Sequence, residues 1–112
     1  MGITTHVLDT ARGKPAARVA VLLERQVGRS WTRIGGGATD DDGRLRTLLP
    51  ADVAFVEGTY RITFDTRGYA RDTETECFFP EVSIVFDVRD ATQHYHVPLL
   101  LSPFGYSTYR GS

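Results

Sequence analysis

Apolar and polar side chains alternate along short runs through most of this chain, and turn signals cut each run off before it reaches helix length. Side chains of a strand point to opposite faces in turn, so a period of two calls for β-structure with one face buried. Ile3-Thr-Thr-His-Val-Leu-Asp9 puts Ile3, Thr5 and Val7 on one face and Thr4, His6 and Leu8 on the other. Thr10 to Pro15 reads as the turn that closes it. Ala17 to Gln26 is rich in β-formers, as expected of a well-buried second strand. Trp31 to Gly35 is a third, which Gly35-Gly36-Gly37 should end because consecutive glycines lack the side chains that stiffen a strand. After the tight turn Asp40-Asp41-Asp42-Gly43, Arg44 to Leu48 can pair briefly before Pro50. Gly58 to Asp65 and Glu81 to Arg89 alternate clearly, His94 to Leu101 pairs back after a turn at Asp90 to Gln93, and Gly105 to Arg110 is the eighth run. Only Thr66 to Cys77 loses the alternation, and one short helix is expected there. Pro98, with no N–H to donate, is expected at an edge or a bulge. Evenly spaced short strands of this kind predict a sandwich or barrel.

A chain of 112 residues is expected to form a single domain over residues 1–112. With 41% hydrophobic and 24% charged residues and a net charge of −1, it is neither disordered in character nor drawn to nucleic acid, and a small-molecule or protein partner fits better. No apolar run reaches membrane-spanning length, and Met1 to His6 leads straight into a strand pattern without a basic or apolar leader, so a cytoplasmic protein away from membranes is expected. The lone Cys77 has no partner for an intrachain disulfide and reads as a buried or half-buried thiol.

The residues that could carry chemistry are few: His6, His94, His96, Arg44 and the terminal Tyr109-Arg110-Gly111-Ser112. Histidine changes charge near neutral pH and is the default general base. His94 and His96 share a strand face if the alternation holds. Taken singly, a histidine on a half-polar strand is more often structural than catalytic. A zinc site built from the three histidines lacks a close ligand pair with a nearby carboxylate. Arg44, directly after a glycine turn, can project its planar fork into a groove, or it can simply balance Asp40 to Asp42. There is no G-x-S-x-G elbow, and the glycine triplet is followed by no helix pattern that would make it a phosphate loop. Chain termini usually fray. An aromatic and cationic ending is either a held, functional terminus or an ordinary closing strand with a few loose residues.

Four segments occur together in a known pattern: His6 to Ala16, Thr39-Asp-Asp-Asp-Gly-Arg44, Phe78-Phe-Pro-Glu-Val82 and His94 to Ser112. In them the chain resembles the transthyretin-related 5-hydroxyisourate hydrolases over essentially its whole length. Transthyretin hormone carriers share the Leu-Leu-Ser-Pro run but lack the Tyr-Arg-Gly-Ser ending and these histidines. The resemblance implies an all-β, transthyretin-like sandwich of two four-stranded sheets with one short helix. It also implies a homotetramer, a dimer of dimers, with its sites in a central channel. The implied reaction opens the 5-hydroxyisourate ring to 2-oxo-4-hydroxy-4-carboxy-5-ureidoimidazoline in urate breakdown, without metal or cofactor. The family's active-site positions fall on His6, Arg44, His96 and Ser112, with Tyr109, Arg110 and Gly111 expected at the substrate. Pro98 belongs to the family's His-x-Pro-Leu-Leu run, which makes it an accommodated feature of its strand. The rival reading is a carrier with an apolar ligand in the same channel; His6, His96 and Arg44 at the matching positions weigh against it.

Overall fold

The alternation in the first run is realised directly: Ile3, Thr5 and Val7 are buried, while Thr4, His6 and Leu8 are only partly covered. The computed structural model describes residues 2–112, so Met1, where the expected domain begins, lies outside the described residues. The elements in chain order are β1 (Gly2–Asp9), β2 (Lys14–Pro15), β3 (Ala20–Val27), β4 (Ser30–Ala38), β5 (Arg44–Leu45), β6 (Gly58–Phe64), α1 (Thr66–Thr73), β7 (Val82–Val88), β8 (His94–Ser102) and β9 (Gly105–Thr108). All eight expected strands form, and Lys14–Pro15 adds a further short one inside the expected first turn. One sheet runs β2-β1-β8-β9, with β5 also pairing β1; the other runs β4-β3-β6-β7. β1 and β8 pair in parallel, and the other pairings are antiparallel.

The two sheets close on one apolar core. Ile3, Val7, Val97, Leu99 and Leu101 come from the first sheet and Val21, Leu23, Tyr60, Ile62, Phe64, Val82 and Val88 from the second. Burying each large aliphatic side chain contributes about 1.5–3 kcal/mol before conformational entropy is counted, so this layer drives the folding. The expected helix forms as α1. The Asp65 carboxylate accepts the Gly68 N–H at 3.0 Å to start it, and Glu74 in a left-handed conformation ends it. Tyr69 ties the helix to the end of β1 by donating its hydroxyl to buried Asp9 at 2.7 Å. Asp9 also accepts the N–H groups of Ala11 and Arg12, so the buried carboxylate is fully partnered.

Three local expectations are corrected. The glycine triplet does not end the third strand; β4 runs through it to Ala38. A Cβ at Gly35 would lie 2.2 Å from the Leu48 carbonyl oxygen, and one at Gly36 would lie 2.7 Å from that of Val21. These glycines admit neighbouring backbone instead of breaking the strand. The second strand begins at Ala20, since Arg18 takes a φ of 60° and the Val19 N–H bonds to the Thr39 hydroxyl at 2.9 Å. Pro98 sits in β8, an interior strand, and is buried. Its backbone faces the side on which β9 has already ended, where the Thr108 hydroxyl donates to the Pro98 carbonyl at 2.7 Å. No ladder bond is lost there.

Gly35→Ala tests the close approach. Because the obstacle is backbone, relief requires a shift of the Leu48 segment, and a loss of about 1–3 kcal/mol is expected. Urea unfolding followed by circular dichroism reads it, and a wild-type midpoint would show that this contact is slack.

Candidate active site

The loop between β4 and β5 is built to present one arginine. The Asp40 carboxylate accepts the N–H groups of Asp42 and Arg44, each at 2.9 Å, while the Asp40 N–H bonds to the Arg44 carbonyl at 2.8 Å. These bonds, led by the one from the Arg44 N–H, hold the Asp40 carboxyl below the usual carboxylate pKa. Gly43, at φ 76°, presses its backbone onto β1: its carbonyl accepts the Val7 N–H at 2.7 Å, and a Cβ would lie 2.4 Å from the Val7 carbonyl oxygen. Only glycine meets both demands. Buried Thr39 anchors the loop from below, donating to the Ala16 carbonyl and accepting the Val19 N–H. The run Thr39-Asp-Asp-Asp-Gly-Arg44 is therefore a scaffold whose product is the position of Arg44.

Strand register does the rest. Arg44 lies opposite His6 in the β5–β1 pairing, and Thr4 lies opposite His96 in the β1–β8 pairing. Thr4, His6, Arg44, His94 and His96 consequently share the outer face of one sheet. An open cleft of about 430 Å³ there is lined by Thr4, Thr5, Arg44, Arg46, His94, His96 and Ser112. That volume suits a small-molecule ligand. His6 stands beside this lining, and its Nε2–H donates to the Asp42 carbonyl at 2.8 Å. A carbonyl only accepts, so the neutral His6 ring carries its proton on Nε2 and its lone pair on Nδ1.

The terminal segment is held against the same strand. The Gly111 N–H donates to the His96 carbonyl at 2.8 Å, and a Cβ at Gly111 would meet His96 Cδ2 at 2.6 Å. Arg110 donates to Gln93 at 2.9 Å and to the His94 carbonyl at 3.4 Å, with its guanidinium 4.3 Å from the centre of the Tyr95 ring. The tail thus delivers Ser112 to the cleft. Tyr109 and Arg110 instead line a separate recess with Tyr95 and Val97, so this chain does not bring those two expected substrate contacts to its own cleft.

Burial pushes the His96 pKa below its usual value of about 6.5, and the charges of Arg44, His6 and His94 push it the same way. A neutral imidazole in a cationic cleft is the result. Sequence reasoning missed Thr4 and Arg46 as lining residues; their place on the His6 and Arg44 faces, two residues from each, was the available signal. It also took Asp40 to Asp42 as a plain turn. Among the described residues no cluster of His, Cys, Asp and Glu offers a metal site, and no helix is long and apolar enough to cross a membrane.

A sequence model of the HIUase/Transthyretin family matches residues 3–111. The 5-hydroxyisourate hydrolase of Salmonella dublin is 46% identical over 110 residues, which cover 98% of this chain and 80% of that protein. Among solved structures, Klebsiella pneumoniae 5-hydroxyisourate hydrolase superposes with a TM-score of 0.84 at 34% identity, covering 98% of this chain and 97% of that one. Sea bream transthyretin in complex with thyroxine superposes with a TM-score of 0.90 at 33% identity, covering 97% and 93%. The backbone therefore matches a hydrolase and a thyroxine-binding protein alike, and the side chains in the cleft must separate the two.

The depressed His96 pKa has a direct test. By NMR titration its midpoint is expected below 6.5, and Arg44→Gln should raise it by removing an opposing charge. Because the unfolded chain binds this proton more readily, stability should fall as pH drops through about 6.5 toward the folded midpoint. An unchanged midpoint in the variant would show that Arg44 does not act on the ring.

Proposed function

Because the chain belongs to the HIUase/transthyretin family, we propose that it is a hydrolase of 5-hydroxyisourate and serves urate degradation. The carrying observation is the polar, cationic cleft, in which two imidazoles, Arg44 and the Ser112 terminus converge on one sheet face. A carrier of an apolar ligand needs apolar walls at these positions. This supports hydrolysis over transport on a backbone that accommodates both.

In the proposed reaction His96 is the general base. Its Nε2 has no hydrogen-bond partner among the described residues, and its lowered pKa keeps it neutral at physiological pH. It takes a proton from water as the water oxygen adds to a ring amide carbonyl. His6, fixed through Nε2 on the Asp42 carbonyl, positions that water through Nδ1. Negative charge then develops on the carbonyl oxygen, where the Arg44 fork stabilises it more in the transition state than in the ground state. The ring C–N bond breaks, the carbon becomes a carboxylate, and the departing nitrogen takes up the proton. The product is 2-oxo-4-hydroxy-4-carboxy-5-ureidoimidazoline. Ser112 holds substrate or water by its hydroxyl, and no metal or cofactor enters any step. Arg110 and Gly111 act by fixing Ser112. We assign the assembly as a homotetramer, a dimer of dimers with its sites in a central channel, where Tyr109 and Arg110 also border the substrate space; the openness of the cleft on an exposed sheet face supports this.

With 5-hydroxyisourate generated freshly by urate oxidase, the protein should speed its absorbance decay well beyond the spontaneous rate; decay no faster than in buffer returns the carrier reading. Arg44→Lys keeps the charge but loses the fork, and a fall in kcat of roughly 100-fold is expected. Wild-type turnover in that variant would take Arg44 out of the mechanism. Deleting Tyr109 to Ser112 should abolish activity while circular dichroism stays near wild type, because the core comes from earlier strands. A folded and fully active truncated protein would confine the site to His6, Arg44 and His96.

A further inference from the structure

Thr4 carries a single hydroxyl proton, yet its Oγ1 lies 2.9 Å from His94 Nε2 and 2.8 Å from His96 Nδ1. It can donate to only one of the rings, so at least one imidazole N–H must donate to it. The strands fix this triangle. Thr4 and His96 are register partners, His94 precedes His96 by two residues on the same face, and Gly111 packs against the far side of the His96 ring. Two proton arrangements spend the Thr4 proton inside the triangle and so link the two rings. In one, His94 donates to Thr4 and Thr4 to His96 Nδ1, which places the neutral His96 proton on Nε2 and removes its basic lone pair from the free nitrogen. In the other, His96 Nδ1–H donates to Thr4 and Thr4 donates to His94 Nε2, which leaves His96 Nε2 basic.

We propose that Thr4 and His94 are positioning residues of the hydrolysis, forming a relay that holds His96 in its Nδ1–H form and carries the abstracted proton outward. The proposal rests on the reading of His96 as the base. As a water O–H bond breaks, its proton binds His96 Nε2. The Nδ1 proton moves to the Thr4 oxygen while the Thr4 hydroxyl proton moves to His94 Nε2. Thr4 ends neutral with its hydroxyl turned toward His96, and His94 ends as an imidazolium. One proton has entered the relay and one has arrived at its outer end, with no change in oxidation state. His96 lies where Arg44 and His6 oppose a positive charge, whereas His94 is exposed to water, which solvates the charge until the relay runs in reverse and His96 Nε2–H protonates the departing ring nitrogen.

Thr4→Val removes the hydroxyl with little change of shape, Thr4→Ser restores it, and His94→Gln removes the outer acceptor from a position where folding demands little. General-base transfer as a whole contributes about 100- to 10,000-fold, so kcat in Thr4→Val and His94→Gln should fall roughly 10- to 100-fold. KM should stay near wild type, and Thr4→Ser should recover most of the activity. A residue that only supports the strand would not give this kcat-specific loss with rescue by serine. Independently of turnover, ¹⁵N-coupled imidazole spectra at pH above the His96 midpoint should show His96 protonated on Nδ1 in the wild type and losing that preference in Thr4→Val. Wild-type kcat in both Thr4→Val and His94→Gln, or a wild-type His96 protonated on Nε2, overturns the relay. If the unmodified protein fails to accelerate hydroxyisourate decay, the functional reading falls instead, and the spectra alone decide whether Thr4 sets the His96 tautomer.

Discussion

The parallel pairing of β1 with β8 is the constraint on which the site depends. Parallel neighbours cannot be joined by a short hairpin. Here the chain travels through the whole second sheet and α1 between β1 and β8, so their register is set by core packing and by no local turn. Ile3 and Val7 on β1 and Val97, Leu99 and Leu101 on β8 are buried on the inner face. A slip of one residue would turn these side chains outward and bring His6 and His96 in. The apolar layer that stabilises the sandwich is thus the same device that holds Thr4 against His96 on the outside. Stability and site geometry are two faces of one register.

The loop from Thr39 to Arg44 is the second support, and it shows how a charged run serves a purpose that its net charge conceals. Asp40 spends its carboxylate on two backbone N–H groups, and Asp42 contributes a main-chain carbonyl to His6. Neither carboxylate pairs with the Arg44 guanidinium: the ion pairs in this loop run from Arg18 to Asp41 and, at 3.8 Å, from Arg46 to Asp40. These pairs are exposed and contribute little to stability. Arg44 is left free for the cleft, which matters because an arginine committed to a carboxylate would bring little field to a developing oxyanion.

Most of the sandwich was legible because side chains that alternate at a half-buried surface write their period into the sequence. β6 and β7 stand within one residue of the runs read for them, and the lost alternation after Thr66 marked α1. What misled was glycine and proline read as local grammar. Gly35 and Gly36 stay in β4 where backbone from Leu48 and Val21 crowds them, Gly37 where the Leu45 side chain packs, and Pro98 stays in β8 since its missing N–H faces a strand that has ended. Both are tertiary facts without a local trace. The cluster of His6, Arg44, His96 and Ser112 came from a family pattern alone, as no spacing in the chain places residues 6, 44 and 96 side by side. Thr4 was legible only as the occupant of the His6 face, and its bridge between two imidazoles depends on a cross-strand register that sequence does not print.

The same geometry gives a steric reason for the form of the chain's ending. His96 needs its ring held without a strong acceptor on Nε2, so whatever confines that side must be apolar and thin. Gly111 meets this: its N–H is spent on the His96 carbonyl, and a side chain there would overlap the ring. The residue before it must then anchor the tail without entering the cleft, which Arg110 does by lying over Tyr95 on the opposite side of β8 and bonding Gln93. With 110 turned away and 111 reduced to backbone, position 112 is the first that can reach back to the sheet face carrying the histidines. A small polar residue fits there, and Ser112 lines the cleft. Tyr-Arg-Gly-Ser is therefore an order imposed by His96: an anchor, a gap for the ring, and then a polar group delivered beside it.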